Sequence, residues 1–249
     1  MTASRVFGLH AVRHALERAP ERVLALHALA GRDDAELREL LRLAELAGAS
    51  VTRCDRPALD RLAHGGRHQG IVADVRPAPP LDEHGLEALL DALSDETPLL
   101  LALDGVQDPH NLGACLRTAD ATGVHAVIVP RNRAAGLTAA ARKVATGAAD
   151  SVPLVRVTNL ARCLRGLSGR GIRIAGAAEG AGSTWYDTDL TGPLCVVMGG
   201  EGKGLRRLTR ERCDVLGALP MHGAVESLNV SVATGACLYE ALRQRALRP

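Results

Sequence analysis

Apolar runs punctuate the second half of the chain at Leu99 to Leu103, Ala126 to Pro130, Val152 to Val157, Ile172 to Ala175, Leu194 to Met198 and Val215 to Pro220. They recur every 20 to 27 residues, which leaves room for a crossover helix between most of them, so the pattern predicts a mainly parallel, helix-covered sheet. Helices are expected over Leu112 to Thr122, Thr138 to Ala145, Leu160 to Leu167 and Val230 to Arg245. In the last, Ala233, Cys237 and Ala241 form a stripe of small residues that lets a neighbouring helix come close. In the first half, strands are predicted at Val23 to Leu29, Ser50 to Cys54 and Gly70 to Val75. Between them, Asp33 to Ala49 has Leu37, Leu40, Leu41, Ala44 and Leu46 spaced for one helical face, and Pro57 to Ala63 also reads as helical. The stretch from Arg76 to His84 combines three prolines with acids, which resists regular structure. The expected organisation is therefore a small α/β domain over residues 1–76, an acidic, proline-containing linker over 77–98, and a parallel-sheet domain over 99–249.

Composition narrows the class. The chain has 249 residues, 47% hydrophobic and 23% charged, enough for one large core or two smaller ones. Net charge is only +2, yet it is unevenly spread. Residues 1–76 carry 12 arginines against 10 acids, residues 77–98 carry 6 acids and no Lys or Arg, and residues 99–249 carry 18 bases against 12 acids. A basic back half is compatible with a polyanion such as RNA. Arginine outnumbers lysine 28 to 2, which reads first as codon bias and second as a supply of bidentate phosphate contacts. The six cysteines contain no CxxC pair and lie mostly in apolar runs, as small core residues would. The histidine pairs His10 with His14 and His64 with His68 lack the glutamate and third ligand of a zinc site and read as surface residues, so no metal is expected. Trp185 reads as core. No basic-then-apolar leader opens the sequence and no apolar stretch approaches the roughly 20 residues of a membrane helix, so the cytoplasm is the expected location.

Three stretches break the rules that core packing would keep, placing Asn, Arg, Glu and clustered Gly where an apolar strand hands over to a loop or helix. The first is Asp108-Pro-His-Asn-Leu-Gly-Ala-Cys-Leu-Arg117, the second Val197-Met-Gly-Gly-Glu-Gly-Lys-Gly-Leu205, the third Ser227-Leu-Asn-Val-Ser-Val-Ala-Thr-Gly235. Asn111 and Asn229 have the residue type and place of helix caps. Arg117 sits among Leu112, Cys115, Leu116 and Ala119 on a helix expected to be largely buried, where a guanidinium needs an anion or several acceptors. The glycine run is not a phosphate loop of the Walker type, which would need glycine at 197 and serine or threonine at 204, whereas the chain has Val197 and Gly204. Nor is it a dinucleotide fingerprint, because the glycines follow the fifth strand and the first turn reads Asp104-Gly-Val-Gln-Asp108. It can be a plain strand-to-helix loop, or a place where backbone amides approach a ligand with Glu201 as the charged side chain.

Taken in this order, Asn111 to Arg117, Met198 to Gly204 and Ser227 to Ala233 resemble the three signature motifs of the SpoU branch of the SPOUT RNA ribose 2′-O-methyltransferases. Gly123 to Pro130 and Ser151 to Leu160 resemble the RlmB group within that branch, which methylates a guanosine of large-subunit (23S) ribosomal RNA, and Val6 to Val12 with Gln69 to Ile71 resemble that group's ribosomal-protein-like RNA-binding domain. The resemblance implies a parallel SPOUT sheet with a trefoil knot, S-adenosylmethionine as cofactor, ribosomal RNA as partner, and a homodimer with the active site at the subunit interface. It gives Arg117 the task of activating the reacting hydroxyl, in some accounts as a base. Electrostatic stabilisation and positioning is the reading preferred, because a free guanidinium stays protonated at any ordinary pH. It gives Asn111 and Glu201 the task of orienting Arg117 and the ribose, and Ser227 and Asn229 the remaining hydroxyl and cofactor contacts. Backbone at Gly199, Leu219, Met221 and Leu228 would hold the adenosine. Gly200 and Lys203 depart from the family pattern and are expected to face away from the cofactor. A transfer RNA substrate, another ribosomal RNA site, or a non-catalytic RNA-binding assembly factor on the same fold are the alternatives.

Overall fold

A computed structural model describes residues 3–76, 79–93 and 96–247. They divide into two compact units, Met1–Pro79 and Pro80–Pro249.

The first unit runs β1 (Ser4–Phe7), α1 (Leu9–Arg18), β2 (Val23–Leu29), α2 (Ala35–Leu46), β3 (Ser50–Cys54), α3 (Arg56–Leu62) and β4 (Ile71–Val75). Its sheet has the order β1-β4-β2-β3, with β4 antiparallel to both neighbours and β3 parallel to β2. The Asp34 and Asp55 carboxylates accept from the amides of Leu37 and Ala58, which starts α2 and α3 where the sequence changes from polar to periodic. Val12 and Leu16 of α1 and Leu37, Leu40 and Ala44 of α2 share one core with Leu26, Ala28 and Ala73. β1 and α1 had no counterpart among the expected elements: a four-residue strand offers too little alternation to stand out, and its pairing with β4 lies some 70 positions away in sequence. His68 is not a surface residue. It is buried, its Nδ1 accepts from the Gly70 amide at 3.0 Å, and its Nε2, which must then carry the proton, donates to Asp60 at 2.9 Å.

The second unit runs α4 (Glu83–Ala92), β5 (Leu99–Asp104), α5 (Pro109–Ala121), β6 (Ala126–Pro130), α6 (Ala139–Ala145), α7 (Ala148–Ser151), β7 (Leu154–Val157), α8 (Leu160–Gly169), β8 (Arg173–Ala177), β9 (Leu194–Gly199), α9 (Arg207–Arg210), β10 (Val215–Gly217) and α10 (Val230–Ala246). All six strands are parallel in the order β10-β8-β9-β5-β6-β7. Alternate residues of β5 feed two cores: Leu99, Leu101 and Leu103 meet α5 and α10, while Leu100 and Ala102 meet α4 and α8. Burial on both faces explains why these strands read as unbroken apolar runs.

The 77–98 stretch is not a linker throughout. Asp82 caps α4 by accepting from Gly85, and Leu86 and Leu90 enter the core beside Ala126 and Val155, so the acids occupy the solvent side of a packed helix. Pro77, Ala78, Ser94 and Asp95 of that stretch lie outside the described residues.

The small-residue face of α10 is consumed within the chain: Cys237 and Ala241 are buried, the Thr234 hydroxyl lies 3.5 Å from the Cys115 thiol on α5, and Trp185, fully buried, donates its indole N–H to the Cys237 carbonyl at 3.3 Å. Burial pushes the thiol pKa of Cys115 up to about 11 and those of Cys163 and Cys213 up to about 12, which keeps them protonated and inert.

Candidate active site

Strand order on this sheet reverses at β5, with β6 on one side and β9 on the other. In open parallel sheets the crevice at such a reversal, beyond the carboxyl ends of the strands, is where loops diverge and leave room for a ligand. The loops after β5 and β9 open there.

Asp108 opens α5 by accepting from the His110 amide at 2.9 Å, with Pro109 pre-set for the first turn. The cap is therefore Asp108 and not Asn111, which falls inside the helix and is nearly buried. Released from capping, the Asn111 amide turns to the crevice. Its Nδ2 donates to Glu201 Oε1, and its Oδ1 accepts from Asn229 Nδ2 at 3.1 Å. Asn229 does cap α10: its Oδ1 accepts from the Ser231 amide at 2.9 Å and from the Ser231 hydroxyl at 2.6 Å. The polarity of the chain follows from donor counts. An ionised Glu201 only accepts, so the NH₂ of Asn111 must face it, and the oxygen of Asn111 is then left for Asn229. One residue from each of the three motifs is joined in a single line of hydrogen bonds, across sequence separations of 90 and 118.

Glycines make the turn that presents Glu201. A Cβ on Gly199 would stand 2.5 Å from the Leu205 nitrogen, and one on Gly200 would stand 2.5 Å from the Gly105 carbonyl oxygen. Gly202 and Gly204 have φ of 72° and 58°, the left-handed region. The Gly200 amide donates to the Asp104 carbonyl at 2.9 Å, closing the turn onto β5. Gly200 thus serves the contact between two loops, and its place in the sequence is fixed by packing rather than free to vary.

Asp104 was not expected. Its carboxylate is buried, accepts from the Arg206 amide at 2.8 Å, and lies 3.6 Å from the Arg206 Nε. The signal was present as an acid closing an apolar strand, just before a glycine.

The remaining candidates are placed differently. Arg117 is exposed and without an ion pair among the described residues, contrary to the buried guanidinium expected. Six residues on from Asn111, it points about 120° away around the helix axis, so the two do not share a site within one chain. Ser227 and Leu228 are exposed on the approach to α10, and neither side chain joins the Asn111 line. Gly199, Leu219 and Met221 are half-buried at the carboxyl edge of β9 and just past β10. The backbone amides of Leu219, Met221 and Leu228 have no hydrogen-bond partner among the described residues. Such a row of unpaired donors and acceptors between β10 and α10 fits a ligand rich in heteroatoms, an adenosine among them. No group of three or more His, Cys, Asp or Glu placed to hold a metal is found among the described residues.

Residues 98–239 match the model of the SpoU rRNA Methylase family. The chain belongs to that family. Residues 5–81 match a second one, described as RNA 2′-O ribose methyltransferase substrate binding. The chain is 56% identical over 243 residues to the 23S rRNA (guanosine-2′-O-)-methyltransferase RlmB of Yersinia pestis, covering 98% of each protein. It is 54% identical over 241 residues to the RlmB of Escherichia coli K12, covering 97% of this chain and 98% of the other. Among solved structures it resembles the SpoU methyltransferase AviRb from Streptomyces viridochromogenes in complex with AdoMet, at 28% identity and a TM-score of 0.71 over 97% of this chain and 90% of that one. The α/β fold with its parallel six-stranded sheet is the fold of SpoU methyltransferases.

Proposed function

We propose that this protein transfers a methyl group from S-adenosylmethionine to the ribose 2′-hydroxyl of a guanosine in 23S ribosomal RNA. The observation that carries the reading is the Ser231–Asn229–Asn111–Glu201 line, which joins all three motifs beside unpaired backbone amides at the sheet's carboxyl edge. The named RlmB relatives, aligned over nearly the whole chain, supply the substrate class.

When bound, the cofactor supplies an electrophilic methyl on a sulfonium. The protein's part is to hold a weak nucleophile in line and stabilise the charge that grows on its oxygen. Asn111 fixes Glu201 Oε1 and leaves Oε2 free to accept from a sugar hydroxyl. Ser227 and Asn229 complete the contacts to hydroxyl and cofactor, and backbone at Gly199, Leu219, Met221 and Leu228 holds the adenosine. Arg117 acts as an electrostatic stabiliser, because a guanidinium stays protonated at any ordinary pH and cannot serve as the base.

Arg117 faces outward, so the reading also includes a homodimer in which each protomer lends Arg117 to its partner's crevice. Support comes from α10, whose solvent side carries Val232, Tyr239 and Leu242, an apolar stripe that a two-fold contact would cover. The first unit, Met1–Pro79, recruits the RNA. The passage from β10 through residues 218–229 into α10 is read as the trefoil knot, with α10 held by the Trp185 bond and by Arg245, which donates to the Pro98 carbonyl at 2.8 Å and to the Gly192 carbonyl. A ribosomal RNA substrate puts the protein in the cytoplasm. Mapping 2′-O-methyl marks in ribosomal RNA from cells with and without the gene tests the activity: one missing guanosine mark is expected, and an unchanged map refutes it.

A further inference from the structure

The carboxyl edge of the sheet carries more positive charge than the crevice uses. Lys203 and Arg206 follow β9, Arg131 and Arg133 follow β6, and Arg156 lies on β7. With β5 between β9 and β6, the row spans three strand spacings, about 14 Å. The loops meet above β5: a Cβ on Gly105 would lie 3.0 Å from Arg206 Nη2 and 3.8 Å from the Arg133 carbonyl oxygen, and the Ala135 amide donates to the Val106 carbonyl. Lys203 and Arg133 are exposed with no ion pair among the described residues.

At the far end, Arg131 and Arg156 each donate to the other's carbonyl, at 3.4 and 2.8 Å, beside a cleft of about 580 Å³ that they line with Asn132 and Asp82. The Arg156 Nε there is buried and has no hydrogen-bond partner among the described residues. The acids nearby are engaged elsewhere: Asp82 caps α4, and Glu83 accepts from the Thr158 amide at 2.6 Å while standing 4.0 Å from Arg131. Arg206 and Arg131 have only long ion pairs, 3.6 Å to Asp104 and 4.0 Å to Glu83, and Lys203 and Arg133 have none among the described residues, so the row keeps spare positive charge that suits a strand of consecutive phosphates.

We propose that Lys203, Arg206, Arg133, Arg131 and Arg156 form a phosphate track that leads the RNA strand flanking the target nucleotide away from Glu201 across the edge of the catalytic sheet. The inference rests on the methyltransferase reading but is tested by binding alone. The full-length chain, without cofactor, is titrated with an in vitro transcript of large-subunit ribosomal RNA at several salt concentrations. Arg131→Gln combined with Arg133→Gln is expected to weaken binding on the order of tenfold or more and to flatten the slope of log K against log salt by about 1.4 to 1.8, since each lost phosphate contact removes about 0.7 to 0.9. Arg165→Gln with Arg170→Gln removes the same charge from α8 and the residue just after it, toward the opposite edge of the sheet, and is expected to leave affinity and slope as they were. The track is overturned if the first variant binds like wild type, or if both variants lose affinity equally. Should the double variant melt early, Lys203→Glu, in an exposed loop, carries the same test through the same slope. Failure of the activity reading shows separately, as wild type that binds the transcript but neither binds S-adenosylmethionine in calorimetry nor methylates.

Discussion

Replacing Asn111 by aspartate changes one atom group and removes one hydrogen bond, that from Asn111 Nδ2 to Glu201. The carboxylate still accepts from Asn229 but offers nothing to Glu201, and two negative groups then face each other. The lost bond to a charged acceptor is worth about 1.5 to 3 kcal/mol when buried, and the exposure of Glu201 puts it at the lower end. Repulsion between the carboxylates at roughly 4 Å adds between about 1 kcal/mol in water and about 4 kcal/mol at an effective dielectric near 20. A net cost near about 2.5 kcal/mol in positioning Glu201, the sum of the two lower ends, corresponds to a loss of about seventyfold in rate, and if expressed in stability, to a fall in Tm of about 5 to 10 °C for a unit of this size. Like charges raise at least one of the two carboxyl pKa values in the folded state, so the penalty is full at neutral pH and is relieved as pH falls and the pair shares a proton. The assay is methyl transfer from labelled S-adenosylmethionine to a ribosomal RNA transcript, from about pH 5.5 to about pH 8. Asn111→Asp should show its deficit at the alkaline end and recover part of it at the acid end. Activity within about threefold of wild type across this range, or a deficit that does not move with pH, refutes the claim that Asn111 works by donating to Glu201.

Arg117→Ala is expected to lower methyl transfer by 100-fold or more, about 2.7 kcal/mol, while calorimetric binding of S-adenosylmethionine and Tm stay near wild type, because the side chain is exposed and has no ion pair among the described residues. Gly200→Ala drives a methyl group onto the Gly105 carbonyl oxygen and should cost about 1 to 3 kcal/mol, seen as a lower Tm in calorimetry; an unchanged Tm would mean that the two loops separate freely. Glu240 has its carboxyl held below the usual range, chiefly by the hydrogen bond from Arg243 and then by that from Gln244. A depressed folded pKa gives stability that is present above the ordinary carboxylate value and lost as pH falls through the folded one. Glu240→Gln should therefore lower the urea midpoint at neutral pH, with the difference from wild type closing toward about pH 4 and below.

Much of this architecture was written in local sequence, because a strand buried on both faces has to be apolar throughout and a helix against it has to repeat every three or four residues. β5, β6 and β9, with α5, α8 and α10, fall where those patterns put them, and the three motifs stand out because Asn, Glu and clustered Gly are costly at such junctions unless something uses them. The sequence could not reveal what depends on contacts made far along the chain. α4 looked like a linker because the prolines before it and its own acids are local features, whereas its two buried leucines take their meaning from Ala126 and Val155. Arg117 looked buried because its neighbours are apolar, but the direction of a side chain around a helix is set by which neighbours pack there, and α6 and α10 take the other faces. Gly200, expected only to face away from the cofactor, has the Gly105 carbonyl where its Cβ would be, a contact between loops that sequence does not record. Residue type thus announced the chemistry, while strand order decided that Asn111, Glu201 and Asn229, distant in sequence, would share one line of hydrogen bonds. The reason is that a parallel sheet gathers the carboxyl ends of all its strands on one edge, and only the order of those strands determines which loops become neighbours there.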